Sequence, residues 1–254
     1  MNNWIAKEQA KKDRIQSLKK DLKIEDFLCS LLLQREVNSL KKAKEFFRPD
    51  INSLHDPFLM KDMKKIVEKI EDSREERIMI LGDYDVDGTT STAMLYTYFK
   101  NINYDVLYYI PDRYNEGYGV SEKAIEYAEK NKVSLIITVD CGIKAINQVH
   151  ISNSKNIEMI ICDHHLPGDQ IPNAFGILNP KQKNCKYPFK DLCGCGIAYK
   201  LITAHNSLSE NSIDVTIFLD FVAIATISDM MPLIEENRIL VFHGLNLINS
   251  TPRM

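Results

Sequence analysis

From Arg77 onward the chain alternates short, nearly all-apolar runs with segments of helical length, and that alternation leaves few folds open. Residues 77 to 81, 104 to 110, 133 to 139 and 157 to 162 read as strands, with 174 to 178 a weaker fifth. Between them, residues 89 to 100, 121 to 131 and 143 to 154 have helical length and periodicity. Strands that are apolar on both faces need cover on both faces, and strands joined through helices run parallel. The expected class is therefore α/β, a mainly parallel β-sheet covered by helices. In open sheets of this kind ligands bind beyond the carboxyl ends of the strands.

A small helical N-terminal segment is expected ahead of the sheet, over residues 1–75, with the second domain over 76–254. Phe27, Leu28, Leu31 and Leu32 recur at helical spacing. Pro49 should stop that helix, because proline disfavours a helical conformation in the residue before it. A second helix is expected over 59 to 72, and Ser73-Arg-Glu-Glu76 reads as a charged turn.

The chain has 254 residues, 44% of them hydrophobic, enough to bury one large core. No run approaches the roughly 18 apolar residues of a membrane helix, and the Lys-rich N-terminus lacks the apolar centre of a signal peptide. The expected location is the cytoplasm, with no membrane partner. A formal net charge of −3 excludes the global basic character that would by itself announce a nucleic-acid binder. Only Lys7, Lys11, Lys12, Arg14, Lys19, Lys20 and Lys23 form a basic run, which reads as a solvated helix face ahead of a phosphate-binding arm. The six cysteines form no paired zinc pattern, so Cys193-Gly-Cys195 is read as structural.

The chemistry lies where the apolar runs end. Gly82-Asp-Tyr-Asp-Val-Asp-Gly88, Asp140-Cys-Gly142 and Asp163-His-His165 each follow a strand, and Asp229 closes an apolar stretch from 213 to 228. Each cluster alone has a bland explanation as a turn or a helix cap. All four at equivalent positions point to a metal site, since crowded carboxylates repel one another unless a cation lies between them. Carboxylate and imidazole ligands suit Mn²⁺ or Mg²⁺, and two such ions support phosphoester hydrolysis. Asp85-Val-Asp-Gly-Thr89 also resembles the nucleophile motif of haloacid-dehalogenase-type phosphatases, but that reading leaves Asp83, Asp140 and both histidines without roles.

With Pro111-Asp-Arg-Tyr-Asn-Glu-Gly-Tyr-Gly119, Asn179-Pro180, Gly194-Cys-Gly196 and Ser228-Asp-Met-Met-Pro-Leu233, these blocks form seven ordered motifs. Together they resemble the DHH phosphoesterase superfamily, and the Pro-Asp-Arg and Gly-Tyr-Gly block favours its bacterial single-strand-DNA-specific exonucleases. The resemblance implies two divalent cations, Mn²⁺ or Mg²⁺, and 5′ to 3′ hydrolysis of single-stranded DNA in repair and recombination. It implies Asp85 and Asp140 on one ion and Asp87, Asp140, His164 and Asp229 on the other, with Asp140 as the bridge. Some members carry a histidine where this chain has Leu81, so Asp83 is expected to complete the first site. His165 would contact the scissile phosphate and Arg113 would bind a substrate phosphate. A single-strand-binding protein is an expected partner. Such exonucleases continue into a second substrate-binding domain and an OB-fold, so the chain is expected to be a fragment of reduced activity. The alternatives are a small-substrate hydrolase of the same superfamily, acting on pyrophosphate, oligonucleotides or cyclic dinucleotides, and a non-catalytic replication or repair scaffold.

Overall fold

The computed structural model describes residues 8–253, so Lys7 lies outside the described residues. The chain divides into two compact units, up to Ser53 and from Leu54 onward. The change of pattern near residue 75 thus marks where the strands begin, and the helix just before it belongs to the second unit.

The first unit holds α1 (Lys12–Leu22), α2 (Asp26–Leu33) and α3 (Leu40–Phe47). Leu18, Cys29, Leu32, Val37 and Ala43 form its core. The single helix expected to run to Pro49 is two helices. Glu36 adopts a left-handed φ of 62°, and the Ser39 hydroxyl then caps α3 by accepting from the Lys42 amide at 3.2 Å.

The second unit opens with α4 (Met63–Asp72), whose start is four residues later than its apolar pattern suggests. A 3-10 turn at Pro57–Leu59 and a left-handed Asp62 (φ 68°) delay it. Then follow β1 (Arg77–Gly82), α5 (Val86–Asn101), β2 (Asp105–Tyr109), α6 (Glu122–Lys130), β3 (Leu135–Val139), α7 (Ile146–Ser154), β4 (Glu158–Cys162) and β5 (Gly176–Leu178). Three more helices complete the unit: α8 (Gly194–Leu208), α9 (Leu219–Ser228) and α10 (Glu235–Ser250).

The five strands form one sheet in the order β2-β1-β3-β4-β5, and every pairing is parallel. Side chains alternate between faces along each strand. Met79, Leu81, Ile136, Met159 and Ile161 pack on one face with Ala124, Ile125 and Ala128 of α6 and Val149 of α7. The alternate residues Ile78, Ile80, Leu135 and Ile137 are fully buried as well, and α4, α5 and α8 pack against the sheet beside them. Both faces are covered, as the apolar runs require.

The chain leaves β1 for β2 on one side, then crosses back to lay β3 on the other. The sheet therefore switches direction between β1 and β3, and the connections after those two strands part to leave a crevice at their carboxyl ends. Asp83 to Asp87 follow β1 and Asp140 follows β3.

Candidate metal centre

Each acid is placed by a separate backbone device. Asp85 caps α5, its carboxylate accepting from the Gly88 amide at 2.9 Å. Asp87, in the first turn of that helix, is buried. Its two oxygens accept from the Gly194 and Cys195 amides at 2.6 and 2.7 Å, at the N-terminus of α8, where free N–H groups and the helix dipole favour negative charge. Asp140 has a left-handed φ of 59° immediately after β3, its own amide donating to the Cys162 carbonyl at 2.9 Å. Gly194 must be glycine for a steric reason. A Cβ there would stand 2.7 Å from Asp140 Cβ and 2.9 Å from Asp140 Cα.

The His pair leaves β4 with divided duties. His164 is buried, with Nε2 3.1 Å from Asp140 Oδ1, 3.6 Å from Asp229 Oδ2 and 3.8 Å from Asp87 Oδ2. Burial and then the charge of His165 pull His164 down to about 4, which keeps the imidazole neutral, the form that ligates metal. His165 is more open, and its Nδ1 lies 2.8 Å from Asp163 Oδ1. That hydrogen bond raises His165 above the ordinary histidine range. Burial alone would raise Asp163, but donors from the His165 ring, the His165 amide and the Ile143 amide together hold its carboxyl low.

Among the described residues, ligand atoms gather in three groups, in each of which all lie within 4.8 Å of one another: Asp83 with Asp85 and Asp140, Asp87 with His164 and Asp229, and Asp140 with both histidines. Burial, followed by the charges of Asp87, Asp85 and Asp163, pushes Asp140 up to about 11. Burial pushes Asp87 up to about 6 against its two backbone donors. Asp83 and Asp229 are also raised, in both cases first by burial. Asp83 Oδ1, Asp140 Oδ1 and His164 Nδ1 are buried without a hydrogen-bond partner among the described residues. Buried polar atoms are ordinarily paired. An oxygen-rich, imidazole-containing set with orphaned carboxylate oxygens and mutual repulsion fits hard divalent cations.

All the acids and histidines expected at the site come together at one edge of the sheet. Arg113, exposed in the loop after β2, places its guanidinium 5.3 Å from the ring centre of Tyr84, the residue between Asp83 and Asp85. The haloacid-dehalogenase reading does not fit, since it uses Asp85 and Asp87 alone, whereas the ligand atoms of Asp83 and Asp140 gather with Asp85 and those of His164 and Asp229 with Asp87.

Asp163, Tyr118 and Asn179 lie in motifs the sequence singles out, but their roles at the site are visible only in the structure. Tyr118 donates its hydroxyl to the Asp140 carbonyl at 3.1 Å, and the same oxygen lies 3.2 Å from His165 Nδ1. Asn179 donates to the His165 carbonyl at 2.9 Å. Asp163 holds His165 and belongs to none of the three ligand groups. The signal for Tyr118 was its place between Gly117 and Gly119, both with positive φ. The signal for α8 was the Cys-Gly-Cys run, whose contribution is its backbone amides while its thiols stay free and buried.

Carboxylates and imidazoles converging on the switch point of a parallel sheet define the class as an α/β domain with a candidate centre for divalent cations. Residues 77–226 match the DHH family, N-terminal domain, and the chain belongs to that family. It is 40% identical over 244 residues to the single-stranded-DNA-specific exonuclease RecJ of Bacillus subtilis, covering 95% of this chain and 30% of that protein. The RecJ of Escherichia coli is 35% identical over 201 residues, covering 74% of this chain and 35% of that one. A crystal structure of exonuclease RecJ bound to manganese superposes with a TM-score of 0.69 at 31% identity, over 76% of this chain and 49% of that one. RecJ from Thermus thermophilus in complex with Mn²⁺ superposes with a TM-score of 0.77 at 25% identity, over 94% of this chain and 34% of that one. The chain thus spans about a third of the length of these curated relatives.

Proposed function

We propose that this chain carries the catalytic centre of a single-stranded-DNA-specific 5′ to 3′ exonuclease that depends on two divalent cations, Mn²⁺ or Mg²⁺. The observation that carries the reading is the pair of ligand groups, Asp83-Asp85-Asp140 and Asp87-His164-Asp229, joined where Asp140 Oδ1 lies 3.1 Å from His164 Nε2. The first group would hold one ion and the second the other, with Asp140 between them. When bound, such a pair clamps the attacking and leaving oxygens of a phosphoryl displacement and acidifies a bound water.

The chain's own residues do the rest. The α8 amides fix Asp87 so that it cannot turn away from the site. Asp163 accepts from His165 Nδ1, which leaves Nε2 as the ring atom free to meet a phosphate oxygen, and the raised pKa favours a proton there. Arg113, stacked over Tyr84, offers a planar fork for a second phosphate.

The relatives' names support single-stranded DNA as the substrate. Repair and recombination as the setting, the cytoplasm as the location and a single-strand-binding protein as a partner belong to the same proposal and rest on the family resemblance alone. No helix among the described residues is long and apolar enough to cross a membrane. The test is Mn²⁺-dependent release of nucleotides from end-labelled, 5′-phosphorylated single-stranded DNA, beside duplex DNA, pyrophosphate and an Asp140→Ala control. Release from the single strand, abolished by the substitution, is the expected result. Hydrolysis of pyrophosphate with the strand left intact would overturn it.

A further inference from the structure

The acids of the centre follow β1 and β3 and the histidines follow β4, so the two outer strands, β2 and β5, flank it. Each outer strand is followed by a cation at the same carboxyl edge, Arg113 four residues after β2 and Lys181 three residues after β5. Lys181 is locked to the site through Asn179. The Asn179 side chain accepts from the Lys181 amide at 2.8 Å and donates to the His165 carbonyl at 2.9 Å. Lys181 is half-buried, yet among the described residues its ammonium has no ion-pair partner. Its charge nevertheless acts on His164, His165 and Asp229. A part-buried lysine that faces an anionic centre without pairing with any one acid is placed for an anion that arrives later.

We propose that Lys181 binds a backbone phosphate of the single strand on the β5 side of the reacting phosphodiester, opposite Arg113. The proposal rests on the nucleic-acid reading above. The strand then crosses the carboxyl edge of the sheet from β2 to β5, with a cation on each side of the metal centre. A lysine suits this place because it meets a phosphate as a point charge without demanding a fixed fork geometry.

The test is fluorescence anisotropy with Mn²⁺-loaded full chain and a labelled 5′-phosphorylated oligonucleotide whose terminal linkages are phosphorothioates that slow hydrolysis. Wild type, Lys181→Met and Lys181→Arg are titrated over a range of salt. Lys181→Met is expected to bind about tenfold more weakly and to reduce the log–log salt slope by about 0.7, the value for one phosphate on a single strand. Lys181→Arg should stay within about twofold of wild type. In a scan of oligonucleotides with one neutral methylphosphonate linkage each, wild type should lose affinity at one internal linkage to which Lys181→Met is indifferent. A general structural effect would weaken every oligonucleotide alike and leave that pattern unchanged. Equal slopes and equal scan patterns in a wild type that binds would overturn the role of Lys181 alone. A wild type that binds no oligonucleotide would overturn the nucleic-acid reading with it.

Discussion

Asp140→Asn should make the metal-free protein more stable while abolishing its response to metal. Asp140 is only 2% exposed, and burial with three neighbouring acids raises it from 3.8 to about 11. Its folded form therefore binds a proton at neutral pH that the unfolded chain has released. The sign follows: a carboxyl raised on folding loses stability as pH climbs from 3.8 towards 11. From 3.8 to pH 7, at about 1.36 kcal/mol per unit, the cost reaches at most about 4 kcal/mol. Asparagine keeps the shape without that charge. In EDTA the variant should melt up to roughly 8–16 °C higher, at about 2–4 °C per kcal/mol for a unit of this size. Between pH 7 and 9 the wild type should lose stability on rising pH, and the variant should be flatter. Mn²⁺ at a hundred times its Kd should raise the wild-type melting temperature by about 5–11 °C, equivalent to about 2.7 kcal/mol, and leave the variant almost unmoved. Calorimetry with and without Mn²⁺ reads both effects. A variant that is less stable in EDTA, or that responds to Mn²⁺ as the wild type does, would refute the reasoning.

Gly194→Ala should lower Mn²⁺ affinity more than tenfold in titration calorimetry, because its methyl would stand 2.7 Å from Asp140 Cβ, with overpacking costing about 1–3 kcal/mol. Tyr118→Phe removes the hydroxyl between Asp140 and His165. It should reduce kcat by about 2- to 10-fold, matching a hydrogen bond worth about 0.5–1.5 kcal/mol, while Mn²⁺ binding measured separately is retained. Lys200 is buried against Glu236 at 2.6 Å, and Glu236 also accepts from Tyr187 and the His55 amide. Lys200→Met should therefore destabilise the protein by about 3–5 kcal/mol in urea unfolding, and adding Glu236→Gln should recover part of the loss.

Much of the site was legible in the sequence because the period and position of the strands are local properties. Nearly continuous apolar runs are required by a doubly covered sheet, and acids after such runs must lie at its carboxyl edge, whatever the strand order. That logic brought out Asp83, Asp85, Asp87, Asp140, His164 and His165. Asp229 was harder, since it ends a helix and reads alone as an ordinary cap. The N-terminal helices were less legible. A left-handed Glu36 breaks a pattern that apolar spacing alone continues.

The amino-acid sequence by itself determined the α/β class, the parallel sheet and the identity of the candidate ligands, because side-chain type and local periodicity act within a few residues. Only the tertiary structure decided which ligands gather in one group, since Asp87, His164 and Asp229 meet through α5, β4 and α9, elements far apart in the chain. It alone decided that the Cys193-Gly-Cys195 run supplies backbone amides to Asp87, that Tyr118 joins Asp140 to His165, and that Arg113 and Lys181 follow the two outer strands of the sheet. Those placements depend on strand order and helix packing, which bring together groups that no sequence spacing relates.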